Sequence, residues 1–238
     1  MKYDLSYFEE QLEKYQITLS NEQKEQFITY YELLVEKNKV MNLTAITEFD
    51  EVLEKHFLDS ISLIQVCNLK KDLSVIDLGT GAGFPGIPLK IVFPELKITL
   101  ADSLNKRISF LKEVIDTLGL KGIEAVHCRA EEFAHKKEYR ESFDLCVSRA
   151  VANLSTLSEY CLPFVKVGGN FISYKSGECD EEVTASKKAV SILGGEIKDL
   201  YKFSLGDSGR AFVTIEKIKH TPKSYPRKAG TPSKMPIS

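Results

Sequence analysis

The sequence predicts a doubly wound α/β domain, in which a mostly parallel sheet carries helices on both faces, preceded by a helical extension. From residue 73 onward, short apolar runs alternate with segments of helical periodicity, a pattern typical of parallel βαβ units. The first of these runs leads into the glycine-rich segment V-I-D-L-G-T-G-A-G-F-P-G at residues 75–86. Residues 4–66 show no such alternation, which sets them apart from the sheet.

The N-terminal extension is predicted to be helical. Ser20 is followed three residues later by Gln23, which is a capping-box pattern. Apolar residues then recur at helical spacing. Residues 38–47 interrupt this periodicity, and a further helix is expected over 50–66.

Five strands and four helices are predicted to alternate in the α/β domain. Two more strands, near 196–204 and 211–218, are joined by the short turn G-D-S-G at 206–209 and should pair antiparallel. Five parallel strands plus a terminal hairpin suit a Rossmann-like class I methyltransferase better than a dinucleotide dehydrogenase. The parallel strands are predicted near 73–78, 97–102, 122–127, 143–148 and 169–174, and the helices near 85–93, 104–118, 151–162 and 180–193.

The 238 residues therefore divide into three predicted parts. These are a helical subdomain at 1–70, a cofactor-binding domain at 71–219, and a basic, proline-rich tail at 220–238. A dehydrogenase usually carries a second substrate domain, for which the chain leaves little length.

The glycine-rich segment predicts a nucleotide-type cofactor site, because glycines after a strand let a ligand approach the backbone. Gly81, Gly83 and Gly86 also satisfy the dinucleotide pattern G-x-G-x-x-G. Asp77 lies two residues before Gly79, however, where a carboxylate would repel a pyrophosphate. S-adenosylmethionine (SAM) carries a sulfonium and an ammonium group, so the acid favours SAM. A dinucleotide, or a turn without any ligand, remains the alternative.

In doubly wound folds the ligand lies at the carboxyl ends of the strands. Asp102 ends the second predicted strand and is expected at ribose hydroxyls, and Glu131, after the third strand, at the adenine amino group. Phe84 and Leu104 could supply apolar contacts, and Arg149 could bind the SAM carboxylate. The predicted cofactor residues are Asp77, Gly79, Gly81, Gly83, Phe84, Asp102, Ser103, Leu104, Ala130, Glu131 and Arg149.

The segment after the fourth strand bears on the acceptor. It reads S-R-A-V at 148–151 and lacks the Asn/Asp-Pro-Pro-aromatic motif common in enzymes that methylate exocyclic amines. Cys146 falls inside the strand, where a packed thiol is expected rather than a nucleophile. A ring nitrogen such as guanine N7 needs no general base, so positioning would carry the catalysis. Arg129 and Arg149 are the positioning candidates, with a salt bridge, for example from Arg129 to Glu131, as the alternative.

Composition and the N-terminal sequence restrict the cellular location and the metal content that we expect. The formal net charge is −2, and the five cysteines form no C-x-x-C pair, so neither a zinc site nor a disulfide framework is expected. The N-terminus does not resemble a signal peptide, and no apolar run reaches membrane-spanning length. We therefore expect a cytoplasmic protein without a metal or a membrane partner.

The last 22 residues, 217–238, hold six basic residues, four prolines and no acid. Proline at this density is expected to prevent regular helix or sheet. Composition leaves two alternatives open, a solvated tail without fixed structure or an arm that contacts nucleic-acid phosphates.

Several motifs resemble one family in particular. They are Asn38 with M-N-L-T at 41–44, K-H-F-L-D-S at 55–60, D-L-G-T-G-A-G-F-P-G-I-P-L-K at 77–90, A-D-S-L-N-K-R at 101–107, R-A-E-E at 129–132, S-R-A-V-A at 148–152 and Y-P-R-K-A-G-T-P at 225–232. Together they resemble the bacterial small-subunit ribosomal RNA guanine-N7 methyltransferases, the RsmG or GidB family. The glycine motif is shared by many methyltransferases, whereas the other motifs are more specific.

The resemblance implies a class I fold, SAM as methyl donor with S-adenosylhomocysteine as product, and 16S ribosomal RNA or the small subunit as partner. Methyl transfer to another substrate, and an RNA- or ribosome-binding module with a vestigial SAM pocket, are the alternatives. The resemblance places SAM contacts at Gly79, Phe84, 102–104, Ala130, Glu131 and Arg149. The candidates for RNA contact are Lys106, Arg129, Lys175, Lys223, Arg227 and Lys228.

Overall fold

The fold is described by a computed structural model that covers residues 3–69, 71–149 and 152–237. The helices are α1 Ser6–Glu13, α2 Asn21–Met41, α3 Phe49–Val52, α4 Asp59–Ile61, α5 Gly86–Val92, α6 Asn105–Thr117, α7 Ala130–Phe133, α8 Leu154–Cys161, α9 Asp180–Ile192 and α10 Thr231–Lys234. A π-helical turn, Leu53–Leu58, joins α3 to α4. The strands are β1 Ser74–Leu78, β2 Lys97–Asp102, β3 Ile123–His127, β4 Phe143–Ser148, β5 Val165–Ser176, β6 Gly195–Leu205 and β7 Ser208–Lys217.

The seven strands form one sheet in the order β3-β2-β1-β4-β5-β7-β6. The first five strands are parallel, and β7 pairs antiparallel with both β5 and β6. The predicted class I methyltransferase sheet with its terminal hairpin is confirmed. The strand order reverses between β1 and β4, and this switch point is where doubly wound folds bind their ligands.

Most predicted boundaries agree with the structure, and the differences have local causes. The strand β5 begins at Val165 rather than 169 because Val165 pairs with Phe143 ahead of a bulge. The predicted helix at 151–162 begins at Leu154, where the Asn153 side chain accepts a hydrogen bond from the Thr156 amide. Val151 itself lies outside the described residues.

Side chains of the central strands alternate between two hydrophobic cores, as expected for a sheet covered on both faces. Leu145 and Val147 of β4 lie in one core, which also contains side chains of α1, α2, α5 and α6. Cys146, between them in sequence, lies fully buried in the other core with side chains of α8 and α9. This position confirms Cys146 as a packed thiol.

The N-terminal extension shares a core with the sheet domain. The predicted capping box of Ser20 and Gln23 is present at the start of α2. Tyr30, on the same helix, is fully buried, and its hydroxyl donates a 2.6 Å hydrogen bond to the Ala82 carbonyl in the glycine loop. The extension therefore supports the loop that follows β1. No helix in the described part of the chain combines the length and apolar character needed to cross a bilayer.

Replacing Tyr30 with Phe should destabilise the fold. The buried Ala82 carbonyl would lose its donor, and a buried polar group left unsatisfied costs about 1–3 kcal/mol. We expect the free energy of unfolding in urea to fall by about that amount. Tyr7→Phe is the matched control, because the Tyr7 hydroxyl binds Glu54 at the surface and the residue is 47% exposed. Equal losses in the two variants would contradict the buried role of Tyr30.

Candidate functional site

The loop between β1 and α5 is held in a tight conformation by its glycines. Gly79, Gly81 and Gly83 all have positive φ, at 74°, 62° and 106°. A Cβ at Gly83 would lie 2.5 Å from the Ile87 side chain and 2.7 Å from the Tyr30 hydroxyl. Position 83 therefore requires glycine for space as well as for its backbone angle. The sharp turn predicted from the glycine spacing is confirmed.

Asp77 fixes this loop from beneath. Its Oδ2 accepts hydrogen bonds from the Thr80 hydroxyl at 2.7 Å and from the Gly86 amide at 2.8 Å. Its Oδ1 is buried without a hydrogen-bond partner among the described residues. Burial raises the pKa of Asp77 from 3.8 to about 6, against the hydrogen bonds from Thr80 and Gly86 and the charge of Arg149, which lower it.

Asp102, at the end of β2, ties the same loop to the neighbouring strand. Its Oδ2 accepts from the Gly81 amide at 3.0 Å and from Arg107 Nη1 at 3.2 Å, and its Oδ1 accepts from the Leu104 amide at 2.9 Å. The residue is only 4% exposed. The two acids predicted at the strand ends thus organise the turn that lies between them.

The loop amides are largely engaged within the protein. Gly81 donates to Asp102, Gly83 donates to the Thr80 carbonyl at 2.9 Å, and Gly86 donates to Asp77. A pyrophosphate needs free amides at this position. The pattern G-x-G-x-x-G has another explanation at its third glycine, since a Cβ at Gly86 would lie 2.2 Å from the Leu100 side chain. The loop therefore fits a cofactor without phosphate groups better than a dinucleotide.

A cavity of about 470 Å³ opens at the carboxyl ends of β1, β2, β3 and β4. Its volume lies in the range of small-molecule sites, about 300–1,000 Å³. The structure brings five of the predicted cofactor residues and one positioning candidate into its wall. These six are Gly79, Asp102, Ser103, Ala130, Glu131 and Arg129.

The other predicted cofactor residues lie outside this cavity wall. Asp77 is fully buried and its carboxylate accepts hydrogen bonds from the loop, so its contact with SAM stays a prediction. Gly81 and Gly83 shape the turn, and Leu104 is 43% exposed beyond the wall. Contacts between SAM and the remaining predicted residues stay predictions.

Phe84 packs between the helical extension and the tip of β4. Its ring stacks on His56 with centroids 4.6 Å apart, and the Arg149 guanidinium lies 5.0 Å from its centroid. Burial and the charge of Arg149 lower the pKa of His56 from 6.5 to about 4, so the imidazole is neutral at pH 7. Phe84 thus positions Arg149 in the described structure.

A second cavity, of about 530 Å³, lies beyond β4 and is lined by Arg149. The Arg149 Nη1 donates to Asp59 Oδ2 at 2.7 Å, and Arg210 Nε donates to Asp59 Oδ1 at 3.0 Å. Lys175 donates to Glu182 at 2.7 Å and to the Ala152 carbonyl at 2.9 Å. The charged residues of its wall are four cations, Lys55, Arg149, Lys175 and Arg210, and two carboxylates, Asp59 and Glu182.

Neighbouring residues at the tip of β4 line the two cavities. Ser148 lies in the wall of the first, and the next residue, Arg149, lies in the wall of the second. Ala152 lines the first cavity, and its carbonyl binds Lys175 of the second. Ala150 and Val151, between these positions in the predicted S-R-A-V-A motif, lie outside the described residues. No group of three or more His, Cys, Asp or Glu side chains suited to a metal occurs within residues 3–69, 71–149 and 152–237.

The candidates for RNA contact differ in their availability. Lys106, Arg129, Lys223 and Lys228 are exposed. Lys175 is bound to Glu182, with 9% of its side chain exposed. Arg227 forms a 2.6 Å ion pair with the fully buried Glu159, so its guanidinium is already engaged.

Comparison with known proteins identifies the family. A family model described as rRNA small subunit methyltransferase G (GidB) matches residues 23–212. The chain belongs to this family. It is 54% identical over 236 residues to a protein named ribosomal RNA small subunit methyltransferase G from Lachnoclostridium phytofermentans, covering 98% of each chain. A relative of the same name from Staphylococcus carnosus is 52% identical over 231 residues, covering 96% of each.

The fold is shared more widely. The solved structure of a SAM-dependent methyltransferase from Aquifex aeolicus is similar with a TM-score of 0.53 and 20% identity, over 69% of this chain and 92% of that one. Membership of the methyltransferase G family confirms the resemblance drawn from the motifs.

Several residues of the first cavity wall were not predicted as cofactor contacts, among them Arg107, Tyr160, Gly230 and Ser233. Arg107 follows Asp102 by five residues at the start of α6, a spacing that could have indicated it. Tyr160 and the two tail residues are brought to the wall by tertiary contacts, and no local signal marks them.

Replacing Asp77 with Asn should change how stability depends on pH. Because the pKa of Asp77 is raised on folding, its contribution to the free energy of unfolding is present below pH 3.8 and is lost as the pH rises through about 6. The variant should therefore gain stability relative to the natural chain across this interval. The gain is at most about 3 kcal/mol, measured by urea unfolding from about pH 4 to about pH 7.

His56 acts with the opposite sign. Its lowered pKa makes stability rise between about pH 4 and pH 6.5, but it is present in both proteins and cancels in the difference. A difference between the two proteins that stays constant across the interval would contradict a raised pKa at Asp77.

Proposed function

We propose that the protein transfers a methyl group from SAM to N7 of a guanine in 16S ribosomal RNA. Family membership supports the reaction class, and the two cavities lined by neighbouring residues at the tip of β4 support its layout. Ser148 lines one cavity and Arg149, the next residue, lines the other, and in this layout the donor lies in the first cavity and the acceptor in the second. This adjacency is the observation that carries the proposal.

The residues that line the first cavity suit SAM. Gly79, Asp102, Ser103, Ala130 and Glu131 line this cavity. We expect Asp102 to bind the ribose hydroxyls and Glu131 with its neighbouring backbone to bind the adenine amino group. The engaged loop amides disfavour a pyrophosphate. When bound, SAM supplies an electrophilic methyl group on its sulfonium. The protein orients that group and excludes water from it.

The second cavity suits a nucleotide. Its four cations exceed its two carboxylates, and a positive surplus remains even though Lys55 is paired with Glu51 outside the wall. Positive charge attracts the phosphates of RNA. The O6 edge of guanine accepts hydrogen bonds from arginine or lysine. Arg149 and Lys175 lie in this wall and already donate to Asp59 and Glu182, so a bound guanine would share these donors with the two carboxylates.

Transfer to N7 fits the side chains available. Guanine N7 carries a lone pair and no proton, so the site would need no general base. With SAM bound, the bond from N7 to the methyl carbon would form as the bond from that carbon to sulfur breaks, and S-adenosylhomocysteine would leave. His56, the only imidazole in the wall of the second cavity, is neutral and packed on Phe84. Catalysis then rests on alignment of the two reacting atoms. An unpaired guanine is the expected target, because a paired base must first leave its stack.

The function is tested by mapping 7-methylguanine on small-subunit ribosomal RNA from cells with and without this protein. We expect one 7-methylguanine to disappear in its absence and to return with the natural chain. The variant Asp102→Ala should fail to restore it, because the loop and the expected ribose contact both depend on Asp102. Unchanged modification, or loss of a methyl group at another atom, would contradict the proposal.

The exposed basic residues should contribute salt-dependent RNA affinity. Removing one phosphate contact reduces the slope of log K against log salt by about 1, and we expect this for Lys106→Ala and for Lys228→Ala. Binding of S-adenosylhomocysteine should not change. Lys198→Ala is the control, since Lys198 pairs with Glu196 and Glu216 at the opposite end of the sheet. A slope unchanged in all three variants would exclude these two contacts.

A further inference from the structure

The C-terminal segment that follows β7 has a defined place in the fold. We name residues 222–237 the C-terminal strap. Arg140 donates hydrogen bonds to the carbonyls of Pro222 at 3.2 Å and Tyr225 at 3.0 Å, and His135 contacts the Pro226 carbonyl at 2.9 Å. The strap is therefore attached to the segment that follows α7. Its proline-rich sequence was expected to exclude helix, but α10 forms with Pro232 in its first turn, where proline is tolerated.

A buried ion pair anchors the middle of the strap. Arg227 Nε and Nη2 donate to both oxygens of Glu159 on α8, at 2.6–3.1 Å, and the Arg227 amide donates to the same carboxylate at 2.7 Å. Glu159 is fully buried. A carboxylate in that position depends on its partner, because an unpaired buried charge is costly. A tail that served only to reach RNA would not need such an anchor.

Beyond the anchor, the strap reaches the first cavity. Gly230 and Ser233 lie in its wall. The Gly230 amide donates to Glu131 Oε1 at 2.9 Å, and the Ser233 hydroxyl donates to the Gly230 carbonyl at 3.2 Å. The Thr156 hydroxyl donates to the Pro232 carbonyl at 3.1 Å. The strap thus closes the gap between α7 and α8 on one side of the cavity.

We infer that the C-terminal strap is part of the cofactor site. Gly230 and Ser233 form the wall next to the adenosine portion of SAM, and Gly230 orients the Glu131 carboxylate. This inference rests on the proposed function, which assigns SAM to the first cavity and Glu131 to adenine. The basic tail is then not only a candidate for RNA contact, because the strap also forms part of the cofactor site. Its exposed lysines remain available to RNA.

The test compares leucine at two adjacent positions of the full-length protein. Ser233→Leu places a bulky side chain in the cavity wall, whereas Lys234→Leu places the same side chain at an exposed position outside the wall. Titration calorimetry measures the Kd of S-adenosylhomocysteine. We expect Ser233→Leu to raise this Kd at least about tenfold and Lys234→Leu to leave it within about twofold. Methylthioadenosine, which lacks the amino-acid part, should lose affinity by a similar factor.

A Kd that stays at the value of the natural chain in both variants would overturn the inference. An equal increase of the Kd in both variants would overturn it as well. A measurement without any substitution guards against misfolding of Ser233→Leu. Hydrogen exchange on the natural chain should show the amides of 228–235 protected when S-adenosylhomocysteine binds, and an unchanged exchange rate would overturn the inference as well. Failure of the natural chain to bind S-adenosylhomocysteine would instead count against the proposed function.

Discussion

The site depends on two carboxylates that hold one glycine loop from two strands. Asp77 binds the loop at Thr80 and Gly86, and Asp102 binds it at Gly81. Both acids lie at strand ends, so the register of β1 and β2 fixes the separation between them. The loop conformation is therefore set by the sheet itself, and the cavity beside it exists before any ligand arrives. Preorganisation of this kind reduces the conformational cost of binding.

The helical extension is part of this arrangement and not a separate module. Tyr30 supports the loop at Ala82, and Phe57 and Tyr30 pack around Phe84. The π-helical turn and α4 bring His56 and Asp59 to Arg149. Both proposed cavities thus need side chains that precede the sheet in sequence.

The sequence predicted the sheet well because its information is local. The strands β2 and β4 agree with prediction at both ends. Each is a mostly apolar run that ends in a polar residue, at the carboxyl end of the strand. The glycine loop was equally clear. Hydrogen bonds between residues far apart in sequence could not be predicted. Examples are Glu159 with Arg227, 68 positions apart, and Glu131 with Gly230, 99 positions apart. Sequence alone makes Arg227 a candidate for RNA contact, because a lone arginine in a basic tail shows nothing of its acidic partner Glu159.

The contacts of Asp59 limit which amino-acid substitutions the chain can accept. One buried carboxylate serves two guanidinium groups, Arg149 and Arg210, which lie 90 and 151 positions further along the chain. Loss of the acid would leave two like charges facing each other, and loss of both arginines would leave a buried anion. We therefore expect substitutions at these three positions to depend on one another. Mutational drift in the helical extension is thereby restrained by residues on the far strands of the sheet.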